Sequence, residues 1–291
     1  MDRREALHII AAEALQGQLA FPSHVQVALR VREVLDNPDC HIDEYSILVE
    51  TEPVLSARVV AIANAARNAS AKTLTDVRSA VVRIGMGTMR ALAVAEVARH
   101  FANMPARPQD RVISMKLWSH SVHVAALAHV LAGKVTRQNP DTALFAGIVH
   151  ELGALYLIYR ARDFPCLLES RLRKAPSDAL QGQSKKDSDM EESEHGVSRA
   201  IMQALAIPNA VVQVIEELWK GCMTLPPVTL GDTLLLADEL APIQSPLQRR
   251  LAGASPRNAI DVDTIIGAET LNQILERSAA DVSSLAMALN S

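Results

Sequence analysis

Residues Ala143–Leu155 read ALFAGIVHELGAL, an apolar stretch that is interrupted by the adjacent polar residues His150 and Glu151. Its composition and spacing predict an apolar helix that begins at the Asn139–Pro140 pair, ends at His150 and is stopped by Gly153. Adjacent imidazole and carboxylate groups are metal ligands in some hydrolases, but one pair cannot hold a catalytic ion without further converging ligands. The stretch therefore predicts a helix with a candidate site at its end.

The rest of the chain has the composition of a helical protein. Ala and Leu abound, aromatic residues are only 3% of the chain, and apolar residues recur mostly every three or four positions. This pattern favours helices that pack on helices. The length of 291 residues and the hydrophobic content of 49% allow a sizeable core. We therefore predict an all-α fold.

Turn-forming residues divide the chain into predicted helices, because proline, glycine, asparagine and aspartate favour turns and caps. The predicted helices cover residues 25–35, 42–49, 53–64, 75–84, 88–101, 110–135, 139–150, 196–205, 210–219 and 229–240, and a final helix pair fills 262–289. Gly85 is expected to close the helix before it in a left-handed conformation. The polar segment 181–194 is predicted to be a mobile loop or a frayed helix end.

A joint is predicted at residues 104–108, which read MPARP. Two prolines so close together resist helix formation and stiffen the connection. We place a subdomain boundary there, which divides the chain into two packed helical subdomains, residues 1–104 and 109–245. Residues 246–291 form a C-terminal helical extension to which the sequence assigns no role.

Charge and cysteine content exclude several classes of protein. The formal net charge of -4 and the lack of a long basic run argue against a nucleic-acid partner. Cys40, Cys166 and Cys222 are odd in number and widely separated, so neither a disulfide framework nor a cysteine zinc site is indicated. No signal peptide and no apolar run of roughly 20 residues is apparent. We expect a cytoplasmic protein without membrane or nucleic-acid contacts.

Two familiar enzyme motifs are broken in this chain. The stretch that begins at His150 lacks the second histidine of a zinc-protease motif, because Ala154 stands one helical turn on. Gly85 and Gly87 are not preceded by a predicted strand, and Arg90 replaces the third glycine of a dinucleotide loop. Neither chemistry is therefore predicted.

Short landmarks follow one another over most of the chain. They are Phe21-Pro22, residues 52–58 with Asn64, residues 77–85, residues 117–121, residues 146–153, Glu191, His195-Gly196 and Pro208. In this order they resemble the HDOD domains, the output-domain relatives of the HD phosphohydrolases in bacterial signalling proteins. The resemblance covers about residues 19–245. It implies that the second subdomain is similar to the helical core of the HD phosphohydrolases.

The resemblance also implies a set of site residues. HD phosphohydrolases hold one or two metal ions through a histidine, an adjacent His and Asp, further histidines and a final Asp. The matching positions in this sequence are His120, His150, Glu151, His195 and Asp238. The resemblance thus implies either an active metal site or the remains of one.

Three departures from the pattern favour the remains of a metal site over an active metal site. Glu151 stands in place of the metal-binding Asp, and its extra methylene displaces the carboxylate. Residues 215–219 read IEELW where a histidine pair is expected, and no Lys follows Glu151 to neutralise a phosphate. We therefore expect no catalytic residues and no cofactor, only a vestigial or ligand-binding site. An ion, if one binds, would use His120, His150, Glu151 and Asp238.

The histidines also have a purely structural interpretation. His120 and His150 are then buried core groups whose hydrogen bonds are satisfied by the backbone or by Glu151. His195 is then a solvated residue at a helix start, and Trp219 belongs to the core packing.

Three functions follow from these observations. The main hypothesis is a catalytically inactive signalling module with partners such as a sensor kinase, a response regulator or a nucleotide-signalling enzyme, as in two-component systems. The alternative is a phosphohydrolase that acts on a nucleotide or cyclic dinucleotide with one divalent ion of Mn, Fe, Zn or Mg. The third is a helical adaptor without a ligand. Homodimer formation stays open.

Overall fold

A computed structural model describes residues 1–19, 33–34, 37, 41–51, 53–65, 73–105, 107–168, 185–224, 226–247 and 268–290. These residues form helices and turns and contain no strand, so the all-α prediction is confirmed. The α-helices are α1 (Arg3–Leu15), α2 (Ile42–Glu50), α3 (Pro53–Ala65), α4 (Val77–Asn103), α5 (Pro108–Leu131), α6 (Pro140–Val149), α7 (Leu152–Arg160), α8 (Lys185–Ala204), α9 (Asn209–Lys220), α10 (Leu230–Leu240) and α11 (Ala268–Asn290). A short π-helical turn, Ala132–Thr136, extends α5.

Helix α6 begins where the sequence predicts. The Asn139 side chain accepts a hydrogen bond of 3.0 Å from the backbone N–H of Thr142, and Pro140 occupies the first turn. Such a cap satisfies a backbone donor that has no partner inside the helix. The helix ends at Val149, so that His150 lies at its C-terminal cap. The sequence thus defines both ends of the helix that carries the candidate site.

Glycine at position 153 does not stop the helical stretch, and that prediction is wrong. Gly153 lies inside α7, which begins directly after the short turn at His150 and Glu151. Helix α8 crosses α7 at this point, and a Cβ atom on Gly153 would overlap the side chain of Ser198. The glycine therefore permits close helix packing rather than helix termination.

Two other helix boundaries differ from the predictions. Gly85 has the expected positive φ, 75°, but helix resumes at once, so that α4 spans two predicted helices. The polar segment 181–194, predicted to be a mobile loop or a frayed helix end, is helical from residue 185 onward, because α8 begins at Lys185. Helix α1 packs on α8, and Arg3 pairs with Glu194 at 2.5 Å, which stabilises this polar helix by tertiary contacts. Residues 181–184 lie outside the described residues.

Two predicted elements lie partly outside the described residues. The predicted helix over residues 25–35 lies outside the described residues except for Glu33 and Val34. Of the predicted final helix pair, the described part is the single helix α11.

Helix α5 lies at the centre of the fold. It packs against α4, α6, α7, α10 and α11, while α11 also contacts α3. Buried apolar residues of both predicted subdomains belong to one hydrophobic core. A helix break occurs at the predicted joint, since α4 ends at Asn103 and α5 begins at Pro108. The division into subdomains stays a prediction, and the C-terminal helix packs back onto the rest of the chain.

The segment Pro140–Arg160 is the one stretch of the described chain that is long and apolar enough to cross a membrane. An 18-residue stretch within this segment has a mean hydropathy of 1.4, and 94% of that stretch is buried in the fold. Its helices α6 and α7 pack against α4 and α5. Burial in the core accounts for this apolar character, as in the core helices of many proteins.

Candidate functional site

Close packing of α5 and α6 brings the two central histidines together. Gly147 on α6 lies against the backbone of Ala125 on α5, and a Cβ atom at position 147 would overlap that backbone. The missing side chain lets the two helix axes approach. His120 projects from α5 and His150 from the end of α6, so this approach places their rings within contact distance.

The two imidazole rings face each other through their Nε2 atoms. These atoms are 3.3 Å apart, and the rings meet edge to face at 64°. On the far side of each ring, Nδ1 lies 2.7 Å from a backbone carbonyl, that of Ile243 for His120 and that of Gly147 for His150. A carbonyl partner requires the proton on Nδ1, which leaves Nε2 of a neutral ring as a lone-pair donor. Both rings are therefore oriented as metal-binding histidines are.

Two carboxylates complete the group, which we call the histidine cluster: His120, His150, Glu151 and Asp238. Asp238 Oδ1 lies 2.8 Å from His120 Nε2 and 3.7 Å from His150 Nε2. His120, His150 and Glu151 each offer one ligand atom, and these three atoms all lie within 4.8 Å of one another. Glu151 Oε1 accepts a 3.1 Å hydrogen bond from the Ser245 hydroxyl, but the buried Glu151 Oε2 has no partner.

The environment of the cluster shifts the pKa values of the two rings in opposite directions. Burial alone lowers the pKa of His120, but the hydrogen bond and charge of Asp238 and the Ile243 carbonyl outweigh it, so that this pKa is raised. The pKa of His150 is lowered, chiefly by its burial. A protonated His120 can donate to Asp238 and Ile243 at once, while neutral His150 accepts on Nε2. In that protonation state each of the four ring nitrogens has a hydrogen-bond partner.

The segment after α10, residues 241–247, covers the cluster, and we call it the cover segment. It supplies the Ile243 carbonyl to His120 and the Ser245 hydroxyl to Glu151. His120, His150 and Glu151 are buried, whereas the Asp238 side chain is 36% exposed. Asp238 is therefore the member of the cluster that meets the surface.

The donor set fits one transition-metal ion. Two imidazole nitrogens and two carboxylates suit zinc, iron or manganese. Two nitrogens that each lie about 2.1 Å from one tetrahedral ion are about 3.4 Å apart, close to the separation of the two Nε2 atoms. The unpartnered Glu151 Oε2 is a further candidate ligand atom. No second group of metal-ligating side chains with such spacing occurs in the part of the chain that the structure describes.

His195 does not belong to the group of mutually close ligand atoms formed by His120, His150 and Glu151. It is only 8% exposed and lies inside α8, so the expectation of a solvated residue at a helix start is wrong. Its ring stacks on the indole of Trp219, with centroids 4.2 Å apart and planes inclined by 5°. The Arg199 guanidinium lies 5.2 Å from the same indole, and Trp219 packs at the edge of the core. One face of the ring is thus occupied by an aromatic partner.

Sequence reasoning missed three contributors to the site. Gly147 sets the approach of the two helices, and Ile243 and Ser245 hold His120 and Glu151. The backbone carbonyl of Ile243 has no side-chain signature, and Ser245 lies in a short irregular segment. The one available signal was Gly147, a glycine inside a predicted helix, which often marks close packing.

The fold and the cluster define an HD-related helical protein. The HDOD domain family matches residues 21–220. The chain therefore belongs to the HDOD domain family. The match ends before Asp238 and the cover segment, which lie in the part of the chain after it.

Three solved structures show the same fold. A candidate metal-dependent phosphohydrolase of Shewanella amazonensis SB2B is 18% identical, with a TM-score of 0.66 over 99% of each chain. An HDOD domain protein of unknown function from Geobacter sulfurreducens is 22% identical, with a TM-score of 0.58 over 97% of this chain and 98% of that one. A candidate signal transduction protein of Marinobacter aquaeolei VT8 is 21% identical, with a TM-score of 0.56 over 99% of this chain and 66% of that one. No curated protein sequence matches the chain.

Proposed function

We propose that this chain is a non-catalytic regulatory module of bacterial signal transduction. It acts through contacts with signalling proteins such as a sensor kinase, a response regulator or a nucleotide-signalling enzyme. The observation that carries the proposal is that the cover segment closes the site over His120, His150 and Glu151, through Ile243 and Ser245, and leaves only Asp238 at the surface. Catalytic metal sites keep an open position for water or substrate, whereas closed sites are structural. A closed cluster is suited to holding the fold in one arrangement.

The charges next to the cluster also disfavour phosphate chemistry. Phosphoryl transfer relies on cationic groups that stabilise the charge developing on the phosphate. The residue after Glu151 is Leu152, which is buried in the core. Glu151 and Asp238 instead bring two carboxylates to the site, and these repel an anionic substrate unless an ion neutralises them. Binding of a phosphate ester is therefore unfavourable here.

The described surface offers apolar side chains for a protein contact. Val112 and Met115 are 55% and 51% exposed and lie three residues apart on α5, so they share one helix face. Val82 and Met86 of α4 are also exposed, but the non-helical Gly85 lies between them, so their spacing does not place them on one regular helix face. Clustered apolar side chains on a polar surface are typical of contact sites between proteins. The α5 pair is the more exposed of the two and is our first choice for a partner contact.

A second candidate function is a metal-dependent phosphohydrolase that acts on a nucleotide or cyclic dinucleotide. The unpartnered buried oxygen Glu151 Oε2 and the facing Nε2 atoms favour it. His120, His150, Glu151 and Asp238 would hold one ion of Mn, Fe, Zn or Mg. Such an ion polarises a phosphoryl oxygen and lowers the pKa of a bound water. Asp238, as the exposed member, would face the substrate.

A hydrolysis assay separates the two candidates. The purified protein is loaded with Mn²⁺, Fe²⁺ or Zn²⁺ and tested on bis-p-nitrophenyl phosphate and on cyclic dinucleotides, with His150→Ala as the control. The module hypothesis expects no turnover above that of the His150→Ala protein. Metal-dependent turnover that the substitution removes would overturn it and establish the hydrolase.

Complementation tests the protein contact: the gene for this protein is deleted from its host, and variants are tested for their ability to restore the lost phenotype. We expect Val112→Glu with Met115→Glu to abolish complementation at unchanged protein abundance, because two charges interrupt the apolar face. Val228→Glu is the matched control, since Val228 is also exposed but lies outside α5. Asp238→Asn should preserve complementation. Loss with Asp238→Asn and retention with the α5 variant would contradict the proposal.

A further inference from the structure

A cavity of about 650 Å³ lies between α5, α10 and α11, beside the histidine cluster but separate from it. Most of its walls are apolar. Leu127 comes from α5, Leu240 from the end of α10, and Leu275, Val282 and Ala286 from α11. Small-molecule sites in proteins have about 300–1,000 Å³, largely apolar walls and a few polar groups. The size and lining of this cavity are those of a ligand site.

Three polar side chains line the otherwise apolar cavity. They are His123 on α5 and Ser283 and Asn290 on α11. His123 Nδ1 lies 2.7 Å from the Ser119 carbonyl, which requires the proton on Nδ1 and leaves Nε2 of the neutral ring as an acceptor. The hydroxyl and the amide both donate and accept hydrogen bonds. The cavity therefore offers hydrogen bonds to a hydroxyl or amide group.

Charge decides which ligand fits. Among the described residues, the cavity lining includes no Lys, Arg, Asp or Glu. A carboxylate, phosphate or ammonium group would gain no Lys, Arg, Asp or Glu partner from this lining, whereas an uncharged head group finds the hydroxyl, amide and imidazole that it can bind. We propose that this cavity binds an uncharged amphiphile, a small molecule with an apolar body and a hydroxyl or amide head group.

The position of the cavity connects it to the cover segment. Leu240 and Pro242 line the cavity, while the next residue, Ile243, holds His120 through its carbonyl. His123 lies one helical turn from His120 on α5. A ligand that contacts Pro242 thus touches the cover segment one residue before its bond to the cluster. In a signalling module, entry of a ligand into this cavity would be the input signal, and this step rests on the proposed function. Binding of the ligand to the cavity does not depend on that function.

Fluorescence titration with Nile red, an uncharged apolar dye, tests the cavity in the full chain. We expect saturable binding of one dye per chain. Ala279→Trp places a large ring in the cavity and should weaken binding at least tenfold. Ala280→Trp is the matched control, because Ala280 is also exposed on α11 but does not line the cavity. Circular dichroism and the unfolding temperature of both variants establish that each is folded.

Competition with simple amphiphiles identifies the ligand class. 1-Decanol should displace Nile red at least tenfold more effectively than decanoate or decylammonium, since the three differ only in the head group. Non-saturable dye binding, equal binding by the Ala279→Trp protein or equal displacement by decanoate would each overturn the proposal. So would a concentration-dependent dimer that excludes the dye, because the occupant would then be a second copy of the chain. None of these results depends on the signalling role or on hydrolysis.

Discussion

His120 and His150 face each other through Nε2 atoms 3.3 Å apart, because backbone carbonyls hold the Nδ1 side of both rings. If both rings are neutral, two lone pairs point at each other, which is unfavourable. A proton or a cation between the nitrogens removes the conflict. Asp238, 2.8 Å from His120 Nε2, supplies the negative charge that stabilises either. The same geometry thus serves a proton-bridged centre in a regulatory module and a metal centre in a hydrolase.

Metal titration distinguishes the cluster histidines from the stacked one. We expect His150→Ala to weaken the affinity for Zn²⁺ or Mn²⁺ at least tenfold relative to the unsubstituted chain, because one of the two facing nitrogens is lost. His195→Ala should leave the affinity unchanged, since this ring stacks on Trp219. Isothermal titration calorimetry with chelator-treated protein measures both. Weaker binding by His195→Ala would show that the ring leaves Trp219 to join the site.

Removal of the Asp238 side chain should lower stability. His120 then loses the acceptor of a charge-assisted hydrogen bond while it stays buried, and the free energy of unfolding should fall by about 1–2 kcal/mol. Asp281→Ala is the control, because its ion pair with Lys134 is exposed and worth well under 1 kcal/mol. Urea unfolding of Asp238→Ala and Asp281→Ala gives both values. Equal losses would show that the cluster contributes nothing to the fold.

Much of the helical framework was predictable because its signals are local. The Asn139–Pro140 pair gives a cap and a fixed φ, and the structure starts α6 there. Thr229 and Asp232 form reciprocal hydrogen bonds at the start of α10, where the sequence predicts a helix. Hydrophobic spacing and caps act within a few residues, so one sequence suffices to read them.

Features that arise from contacts between distant helices were not predictable. A glycine after an apolar helix, such as Gly153, is typical of a helix end. Its role here depends instead on Ser198, which lies on another helix. His195 matched a family landmark, and only the fold shows that Trp219 occupies its ring face. The Ile243 carbonyl orients His120 over a separation of 123 residues through a group that every residue possesses. Such partners require the tertiary structure.

Substitution of Gly147 by alanine should separate α5 from α6. The added Cβ atom would meet the Ala125 backbone, which cannot rotate away, so we expect a loss of about 3 kcal/mol or more in unfolding free energy. Gly196→Ala is the matched control, because Gly196 also lies inside a helix but a Cβ there meets nothing within 4 Å. It should raise stability by up to about 1 kcal/mol. Thermal and urea unfolding measure both, and a small loss for Gly147→Ala would show that α6 can shift without cost.

A buried ionic group on α3 and α4 should make stability depend on acid pH. Glu96 accepts hydrogen bonds of 2.5 Å from Arg58 and from Arg99 and lies 3.0 Å from His100 Nε2. Burial opposes ionisation of Glu96, but the hydrogen bonds from His100 and Arg99 and the charge of Arg58 lower its pKa to about 2. The ordinary pKa of this carboxyl in the unfolded chain is 4.5. The carboxylate therefore stabilises the fold above pH 4.5, and this stabilisation is lost as the pH falls towards 2.

The size of this effect follows from the difference between the two pKa values. It corresponds to a contribution on the order of 3 kcal/mol at neutral pH. Urea unfolding of the unsubstituted chain and of Glu96→Gln, compared between pH 6 and pH 3, should show a stability difference that shrinks with acid. A constant difference would show that the Glu96 carboxyl is not held in its charged form by its neighbours.

Arg58 provides the complementary test of the same group. Its side chain is fully buried, and its Nε and Nη2 atoms have no hydrogen-bond partner, so Glu96 is the group that compensates its charge. Glu96→Gln leaves that charge uncompensated and should cost about 3–5 kcal/mol. Arg58→Met removes the buried charge and nearly conserves the apolar volume of the side chain. The double variant, Arg58→Met with Glu96→Gln, should therefore be more stable than Glu96→Gln alone. A double variant that is less stable would mean that Arg58 contributes chiefly through packing of its stem rather than through its charge.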